Sequence, residues 1–465
     1  MQRQTRLVLA AALLLAACGG GATQGNNPGN NPGAGDCPTG GQGSLEVQVT
    51  GLPSGVQARV RVSGPGGYSR DLTGSQTLGV NTGTYTVQAE RVIDTHPIVR
   101  QVYRVAQGAQ TQVCVRNNET SRARVEYSLI PTSGKVWFGD ATRSRVYGFS
   151  RDSLGTGGSV TPSPDADTRA YVALAFDREG NLWVGRQFGS EPHLYRYPAA
   201  SLTGSSPTPD RQINVGGLAQ DRRIDDMAFD PEGNLWVAEA DSDTIFRLGR
   251  ADLETAGSGV TTIAPGVIVS VDDPRSLAFD REGNLWVGQA DSGAPTPPAV
   301  LRYDRSRLGS SIPAGQGPDR TLITLHWDGT NRLGNSDLAF DGQGNLWVMS
   351  LNSGTLHRLP QAVLSGTGSQ TFNSPATDGV VRIFLGNGRL YGMAFDEGGG
   401  LWITYDPAGP GHRFARLSPS QLTSSTPAGS PRTPERLFDA SSVSRTHSPA
   451  LFPAPAGLPL FHSLP

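Results

Sequence analysis

The residues best suited to bind a ligand are carboxylate and amide side chains that flank short apolar segments. The candidate set is Asp226, Glu239, Asp273, Asn335 and Asp337. Hard oxygen donors of this kind are the ligands that Ca²⁺ takes from proteins, so we expect Ca²⁺ if a metal is bound. They also suit a cationic or sugar-like ligand. The alternative is ordinary loop polarity, in which Asp and Asn side chains form turns with nearby backbone amides.

Three histidines, His193, His326 and His412, fall near the same loops by their position in the chain. A histidine beside a carboxylate can act as a general base, although a loop histidine is more often simply exposed. The chain has no G-x-S-x-G nucleophile motif, no H-E-x-x-H zinc motif and no phosphate-binding loop. The sequence therefore assigns no catalytic residue.

A repeated phrase places these side chains along the chain. Its copies are VALAFDREGNLWVG, DDMAFDPEGNLWVA, RSLAFDREGNLWVG, SDLAFDGQGNLWVM and YGMAFDEGGGLWIT, at residues 172–185, 225–238, 275–288, 336–349 and 391–404, with a decayed first copy, YSLIPTSGKVWFG, at 127–139. The tryptophans of the six copies recur at intervals of 46 to 61 residues. Each copy predicts two strands joined by a type I turn that begins with Asp and ends with Gly.

Two further strands follow each copy. The third has an arginine between apolar residues and a leucine six positions later, as in Arg247 and Leu253, and the fourth reads RQINV or RTLITL. Four antiparallel strands in about 50 residues predict one blade of a β-propeller. We expect an all-β chain with a six-bladed propeller over residues 124–465, seven blades being the alternative. Residues 448–461 would be the strand that closes the ring, half of a seventh blade, or a surface tail.

The repeat resembles those of NHL-type and streptogramin-lyase-type propellers, and more distantly the gluconolactonase-like group, in its aspartate, glycine and tryptophan. The resemblance covers residues 125 to 440 and implies the architecture. It does not imply one activity, because this fold carries unrelated functions.

Comparing the copies separates scaffold from site, because a residue present in every blade is more easily explained by structure. We predict a ring of Asp–Arg pairs on one face, such as Asp230 with Arg247. The decayed copy has Pro131 and Gly148 at these two positions, so both partners are lost together. The opposite face should carry what differs between blades. Its other candidate residues are Asp140, Asp225, Asp241, Asp272, Asp291 and Asn352.

Residues 37–118 predict a separate small β-sandwich module. Short runs such as SLEVQVTGLP and QTLGVNTGTYTVQAERV alternate polar and apolar residues between Gly and Pro turns. The hairpin LGVNTGTYTVQAE resembles prealbumin-like or PEGA-like envelope modules, which implies a spacer or adhesive unit. Cys37 and Cys114 bracket the module. In an exported protein they predict a disulfide, with two free thiols as the alternative.

The N-terminus predicts export. Arg3 and Arg6 precede an apolar run that is too short to span a bilayer, so residues 1–17 have the pattern of a signal peptide. The sequence Leu-Ala-Ala-Cys ending at Cys18 resembles a lipobox, which implies cleavage before this cysteine and its lipidation. An ordinary secretory signal is the alternative. Residues 18–36 are rich in Gly, Asn and Pro and predict a disordered tether.

Composition and charge narrow the partners. The net charge is −2 and 17% of residues are charged, so no basic surface is expected to attract nucleic acid. We expect the membrane as one partner, through Cys18, and an unknown protein or glycan as another. The expected location is the cell envelope, facing the periplasm or the exterior. The expected function is ligand binding without catalysis. The alternatives are a metal-assisted lyase or lactone hydrolase acting at the central opening, and a purely architectural module.

Overall fold

The computed structural model describes residues 37–140, 145–154, 158–159, 171–186, 192–203, 207–290, 298–324, 334–351, 353–372, 379–406, 413–427, 429–439 and 446–454. The predicted signal peptide (1–17) and the predicted tether (18–36), including Cys18, lie outside these residues. Within the described part of the chain, no helix is long and apolar enough to cross a membrane.

The N-terminal module is built from nine strands. They are β1 (Gln42–Thr50), β2 (Val60–Gly64), β3 (Tyr68–Leu72), β4 (Gln76–Asn81), β5 (Gly83–Ala89), β6 (Val92–Ile93), β7 (Val102–Gln107), β8 (Gln110–Val115) and β9 (Thr120–Leu129). They form two sheets, ordered β4-β1-β9-β7-β6 and β3-β2-β5-β8. The alternating sequence buries one side of each strand, as with Tyr85, Val87 and Ala89 of β5, and the buried sides share one core. The β-sandwich predicted from the sequence is confirmed.

Cys37 and Cys114 form the predicted disulfide, which links the start of the sandwich to β8. The bond closes a loop with a sequence separation of 77 residues. We expect the double variant Cys37→Ser/Cys114→Ser to lose about 4 kcal/mol of unfolding free energy, because its unfolded chain regains the entropy of that loop. Urea unfolding measures this loss. Reducing the wild type should give the same loss and leave the double variant unchanged. Equal stability of oxidised and reduced wild type would contradict the prediction.

The rest of the chain continues as short strands. The first thirteen are β10 (Lys135–Asp140), β11 (Arg145–Ser150), β12 (Gly158–Ser159), β13 (Tyr171–Phe176), β14 (Leu182–Arg186), β15 (Leu194–Tyr197), β16 (Arg211–Val215), β17 (Asp226–Phe229), β18 (Leu235–Glu239), β19 (Thr244–Leu248), β20 (Val260–Ile263), β21 (Val267–Ser270) and β22 (Pro274–Phe279). The next thirteen are β23 (Leu285–Gln289), β24 (Val300–Tyr303), β25 (Arg320–Thr324), β26 (Asn335–Phe340), β27 (Leu346–Ser350), β28 (Thr355–Leu359), β29 (Gly368–Phe372), β30 (Val381–Phe384), β31 (Arg389–Phe395), β32 (Leu401–Asp406), β33 (Arg413–Leu417), β34 (Arg436–Asp439) and β35 (Thr446–Leu451). Among the described residues, helices are confined to short turns, namely α1 (Arg151–Leu154), α2 (Arg250–Thr255), α3 (Gln361–Leu364) and the 3₁₀ turns Pro65–Gly67, Ala199–Thr203, Arg305–Arg307 and Pro419–Leu422.

In the described residues these strands form six propeller sheets, which we number as blades 1 to 6 around the ring. The strands of each blade are given from the innermost strand outward. The sheets are blade 1 (β35-β10-β11), blade 2 (β13-β14-β15-β16), blade 3 (β17-β18-β19-β21), blade 4 (β22-β23-β24-β25), blade 5 (β26-β27-β28-β30) and blade 6 (β31-β32-β33-β34). The innermost strands contact one another in cyclic order, from β35 through β13, β17, β22, β26 and β31 back to β35. The architecture is therefore a closed β-propeller, as the repeats predict.

Blade 1 is assembled from both ends of the propeller chain. β10 pairs with β35, so the C-terminal segment supplies the strand that closes the ring. The prediction that residues 127–139 form a complete strand pair of blade 1 is wrong. Residues up to Leu129 belong to β9, which begins beyond the predicted end of the sandwich at residue 118 and pairs with β1 and β7. Residues 455–461 of the predicted closing segment lie outside the described residues.

Alternate blades carry a fifth strand taken from the following blade. β20, in the chain of blade 3, pairs in parallel with β16 of blade 2, and β29 of blade 5 pairs in the same way with β25 of blade 4. β12, in the chain of blade 1, pairs with β34 of blade 6. The propeller is thus a ring of two-blade units, which the spacing of single repeats did not predict.

One aspartate fixes the turn between the first two strands of a blade. Asp230 Oδ1 accepts the amide N–H groups of Glu232 (3.0 Å) and Asn234 (2.9 Å), and its Oδ2 accepts Asn234 Nδ2 (2.8 Å) and Trp236 Nε1 (2.9 Å). Asn234 Oδ1 accepts the amide of Arg250 after the third strand (3.0 Å). The same carboxylate contacts recur at Asp177, Asp280 and Asp341. The repeated phrase D-x-x-G-N-x-W is one hydrogen-bonded clamp.

The predicted pair of Asp230 with Arg247 is wrong, because the clamp asparagine and tryptophan already occupy Oδ2 of the aspartate. The exception is blade 6, where Gly400 replaces the asparagine. There Arg416 Nε donates to Asp396 Oδ2 at 2.7 Å. The arginine can therefore reach the aspartate where the asparagine is missing.

Three of the repeated arginines instead join neighbouring blades, whereas Arg196 pairs with Asp210 of its own blade. Arg247 donates to the carbonyl oxygen of Leu308 in the next blade (3.1 Å). Arg302 does the same to Leu364 (2.8 Å), and Arg358 to Leu422 (3.3 Å). Each of these leucines lies six positions after the repeated arginine of its own blade. For these three arginines the Arg–Leu signature thus reflects contacts between blades.

The loop between β6 and β7 binds the sandwich to the propeller. Ile98 and Val99 are 5% and 0% exposed, and they pack in one apolar cluster with Trp402, Phe414 and Phe438 at the seam between blades 6 and 1. No covalent turn joins β35 to β10 within blade 1, so blade 1 lacks the clamp of the other blades beside this seam. Residues 94–101, which we call the seam loop, cover it.

Polar contacts surround the seam loop. Asp94 pairs with Arg151, which begins α1 of blade 1. The Pro97 carbonyl oxygen accepts Arg416 Nη2 of blade 6 at 3.4 Å. The Gly134 amide, before β10, donates to the Arg100 carbonyl at 2.9 Å. The sandwich and the propeller therefore share buried apolar and polar contacts.

Candidate functional site

The two ends of the propeller differ. We call the end that carries the clamp turns the turn face, and the opposite end, where loops follow each second strand and precede each first strand, the variable face. The sandwich lies on the turn face, where Arg91 donates to the Arg178 carbonyl (2.9 Å) and Arg416 contacts Pro97. The variable face is opposite these contacts.

The innermost strands enclose an axial cavity of about 170 Å³. Most lining side chains are Ala, Leu, Met and Phe. The polar exceptions are Asp226 of blade 3, Asp337 of blade 5 and Ser448 of blade 1. Two members of the predicted oxygen-rich set therefore meet the axis.

Each axial aspartate connects two innermost strands. The Asp226 carboxylate accepts the amides of Met227 (2.8 Å) and of Leu277 in blade 4 (2.7 Å). The Asp337 carboxylate likewise accepts the amides of Leu338 (2.8 Å) and of Met393 in blade 6 (2.6 Å). Each carboxylate thus satisfies edge N–H groups that face the channel.

Burial dominates the electrostatics of this pair. Removal from water raises the pKa of Asp226 to about 7, although its two backbone hydrogen bonds favour the charged form. The pKa of Asp337 is raised well above its usual range, first by burial and then by the negative charge of Asp226. The folded propeller therefore holds more protons at this site than the unfolded chain does.

These pKa shifts predict a pH dependence of stability. Since the folded pKa of Asp226 lies above its unfolded value, stability falls as pH rises from about 4 to about 7, with a limiting slope of about 1.4 kcal/mol per pH unit for one group. Glu397, whose pKa burial raises to about 8, acts in the same direction. His96 and His193, whose pKa values burial lowers, act in the opposite direction below about pH 6.5.

The difference between the wild type and Asp226→Asn isolates the aspartate. Urea unfolding at several pH values should show a shallower decline between pH 4 and pH 7 in the variant, which has no proton to lose at this position. Parallel pH profiles of the two proteins would contradict the assignment.

Glu239 and Asp273 occupy separate places on the variable face. Glu239 is fully buried and accepts the Asp241 amide (2.9 Å) and the Ser242 hydroxyl, so it shapes the loop after β18. Asp273 lies before β22 and accepts Arg275 Nε at 2.7 Å. Its backbone has φ of +42°, an uncommon conformation for a residue other than glycine.

Asn335 completes the predicted set at the junction of blades 4 and 5. It is buried, and its Nδ2 donates to the carbonyls of Gln289 (3.3 Å) and Ala299 (3.0 Å). Among the described residues, no group of three or more His, Cys, Asp and Glu side chains could hold a metal ion. The Ca²⁺ site stays a prediction.

The structure gives His193 a structural role. Its side chain is buried. The Val215 amide donates to Nδ1 at 3.0 Å, so Nε2 carries the proton and donates to the Ala219 carbonyl at 3.1 Å. Burial also lowers its pKa. Both ring nitrogens are thus used to hold the loop after β16. His326 and His412, and the candidates Asp291 and Asn352, lie outside the described residues.

A charged network on the variable face was missed from the sequence. Asp225 Oδ1 forms an ion pair with Arg223 (2.9 Å to Nε) and accepts a hydrogen bond from Arg275 Nη1 (2.8 Å), and its Oδ2 accepts the Ala240 amide (2.9 Å). Asp225 is 8% exposed, whereas Arg223 and Arg275 are 22% and 28% exposed. We call these three residues the arginine network. Arg275 stands two positions after Asp273, but its pairing with Asp225 joins two repeats and leaves no signal in the spacing of either one.

Comparison with known proteins assigns no activity. No family model matches the chain, and no curated protein does. Solved structures that match include a protein of unknown function from Bacteroides caccae, with 10% identity over 68% of this chain and 98% of the other and a TM-score of 0.41. Virginiamycin B lyase from Staphylococcus aureus matches with 10% identity over 54% of this chain and 67% of the other, and the TM-score is 0.30. A putative gluconolactonase matches with 18% identity over 59% of this chain and 82% of the other, and the TM-score is 0.37. With TM-scores this low, the similarities do not extend to activity.

Proposed function

We propose that this chain is a lipid-anchored protein of the cell envelope whose propeller binds a protein, glycan or small ligand at its variable face without converting it. The observation that carries the proposal is the arginine network. A buried carboxylate holds two partly exposed guanidinium groups in place on the face that the sandwich leaves uncovered. Donors held in this way lose little entropy when they bind an acceptor group of a ligand.

The roles of the candidate catalytic residues support binding over turnover. His193 uses both ring nitrogens within the fold. The carboxylates of Asp226 and Asp337 each bind two backbone amides. These groups hold strands and loops in position, and a general base needs a nitrogen or oxygen within reach of its substrate.

The anchor is proposed from the lipobox at Cys18. Lipidation there would place the folded body outside the membrane, on a tether of residues 18–36, in the periplasm or at the exterior. Phase separation in Triton X-114 tests it. The wild type should enter the detergent phase and Cys18→Ser the aqueous phase, and an aqueous wild type would reject the anchor.

Photo-crosslinking in cells tests the binding face. A benzoylphenylalanine at Arg222, which is 40% exposed on the variable face, should give discrete adducts. The same group at Arg61, 63% exposed on the sandwich, should give none of them. Adding Arg275→Ala should abolish the Arg222 adducts, because it removes one guanidinium of the arginine network. Adducts that survive this change, or that form equally at Arg61, would overturn the proposal.

A turnover assay tests the claim that the ligand is not converted. The purified chain should leave glucono-δ-lactone and quinupristin unchanged, with and without added Ca²⁺ or Mg²⁺. Conversion of either compound, abolished by substitution of an axial aspartate, would make the protein an enzyme.

A further inference from the structure

On the turn face, an arginine fills the gap between blades 3 and 4. Arg305 begins the helical turn after β24, where its amide donates to the clamp residue Asn284. Its stem lies over Gly283, which has φ of +81° and where an added Cβ would come within 2.9 Å of Arg305 Cδ. Its guanidinium group pairs with Glu232 in the turn of blade 3.

The next seam repeats this arrangement without the guanidinium group. Gln361 stands where Arg305 stands, and its amide donates to the clamp residue Asn345. It lies over Gly344, where an added Cβ would be 3.3 Å from Gln361 Cδ. Because glutamine is shorter than arginine, a cavity of about 250 Å³ remains between it and Glu282 of blade 4. Glu282 has no ion-pair partner among the described residues, whereas its counterpart Glu232 has one.

We propose that this cavity between blades 4 and 5 binds a guanidinium group, supplied by the arginine side chain of a partner protein. The neighbouring seam of the same chain shows the arrangement filled, with Glu232 as the carboxylate that receives the group. The inference concerns the turn face and goes beyond the ligand site proposed for the variable face.

The other charged residues that line the cavity are Asp280, Arg281 and Arg302, and each has partners within the fold. Arg281 donates from Nη2 to the Gly342 carbonyl. Asp280 accepts the four hydrogen bonds of its clamp. Arg302 donates to the carbonyls of Leu364 (2.8 Å) and Gly366 (2.9 Å) and pairs with Asp304. Glu282 is therefore the carboxylate left for a ligand. A planar guanidinium fork can give it two parallel hydrogen bonds, which a lysine ammonium cannot.

Saturation-transfer NMR with n-butylguanidinium chloride tests the site on the full folded chain. The wild type should transfer saturation to the probe. Gln361→Arg, which fills the cavity from within, and Glu282→Gln, which removes the charge, should each reduce the transfer to background. Arg305→Gln should open a second equivalent cavity beneath Glu232 and roughly double the transfer. All three positions are exposed on the turn face, and melting curves confirm that each variant is folded.

The controls separate the possible outcomes. n-Butylammonium should compete poorly, and acetyl-Gly-Arg-Gly-amide should displace butylguanidinium. Undiminished transfer in Gln361→Arg, or equal competition by butylammonium, would overturn the guanidinium site. If acetyl-Gly-Arg-Gly-amide failed to displace butylguanidinium, this would overturn an arginine side chain as the occupant. The site would then bind a small free guanidinium compound instead. Failure of the variable-face crosslinks would not affect any of these results.

Discussion

Replacing Val99 by aspartate is expected to destabilise the whole molecule, although this residue belongs to the sandwich. Val99 is fully buried against the aromatic residues of blades 6 and 1. An unpaired carboxylate there, together with the lost apolar contact, should cost about 3–5 kcal/mol of unfolding free energy. Urea unfolding followed by tryptophan fluorescence reports on the propeller, because six of the seven tryptophans lie in its clamps or their counterpart in blade 1.

Ile93→Asp is the matched control. Ile93 lies on β6, before the same loop, but is 37% exposed. Its replacement should change stability by less than about 1 kcal/mol, as for most surface substitutions. A chain beginning at residue 120 lacks the seam loop and strands β1 to β8, so we expect it to be poorly soluble. Wild-type propeller stability in Val99→Asp would show that the two parts fold independently.

Replacing Asp280 by alanine should give the second large effect. Its carboxylate accepts the amides of Glu282 (3.1 Å) and Asn284 (2.8 Å), the Asn284 side chain (2.9 Å) and Trp286 Nε1 (2.8 Å). Trp286 is fully buried, so its N–H group would lose its partner away from water. We expect a loss of about 2–4 kcal/mol in urea unfolding.

Two variants check the cause of this loss. Asp304→Ala removes an aspartate of the same blade that is 35% exposed and pairs with Arg302, and it should cost less than about 1 kcal/mol. Adding Trp286→Phe to Asp280→Ala removes the orphaned N–H group. The double variant should therefore lose less stability than the sum of the losses in the two single variants. Strict additivity would mean that the indole hydrogen bond contributes nothing.

The repeats predicted the propeller because each copy contains its own turn and strand signals. The Asp, Gly and Trp of one copy form a local clamp, so sequence distance and spatial distance agree. The sandwich was predicted for the same reason, from strict alternation in strands such as β5. The disulfide between Cys37 and Cys114 followed from the count of cysteines in an exported chain and is confirmed.

A closing strand from residues 448–461 was among the predictions, but other features that depend on distant segments were not predicted. The inner strand of blade 1 comes from residues after 445, so the decayed copy at 127–139 could not show that its first three residues belong to the sandwich. Arg247 was matched to an aspartate of its own repeat, because periodicity does not distinguish a contact within a blade from one to the next. The arginine network joins residues 223, 225 and 275 from two repeats.

The predicted oxygen-rich set illustrates the same limit. Sequence position placed Asp226, Asp273 and Asn335 at comparable points before first strands, yet one faces the axis, one pairs with Arg275 and one bridges two blades. A shift of one residue along a strand reverses the side to which a side chain points, so equal position in a loop does not mean a shared site.

Hydrogen exchange of the wild-type chain, followed by mass spectrometry, tests most directly the claim that the sandwich completes the propeller. The slowest amides of β7 and β9 in the sandwich and of β32 and β33 in blade 6 should exchange through one opening event, with the same free energy and the same dependence on urea. Val99→Asp should lower both values together. Sandwich strands that open at a lower free energy, while blade 6 stays protected, would contradict the account.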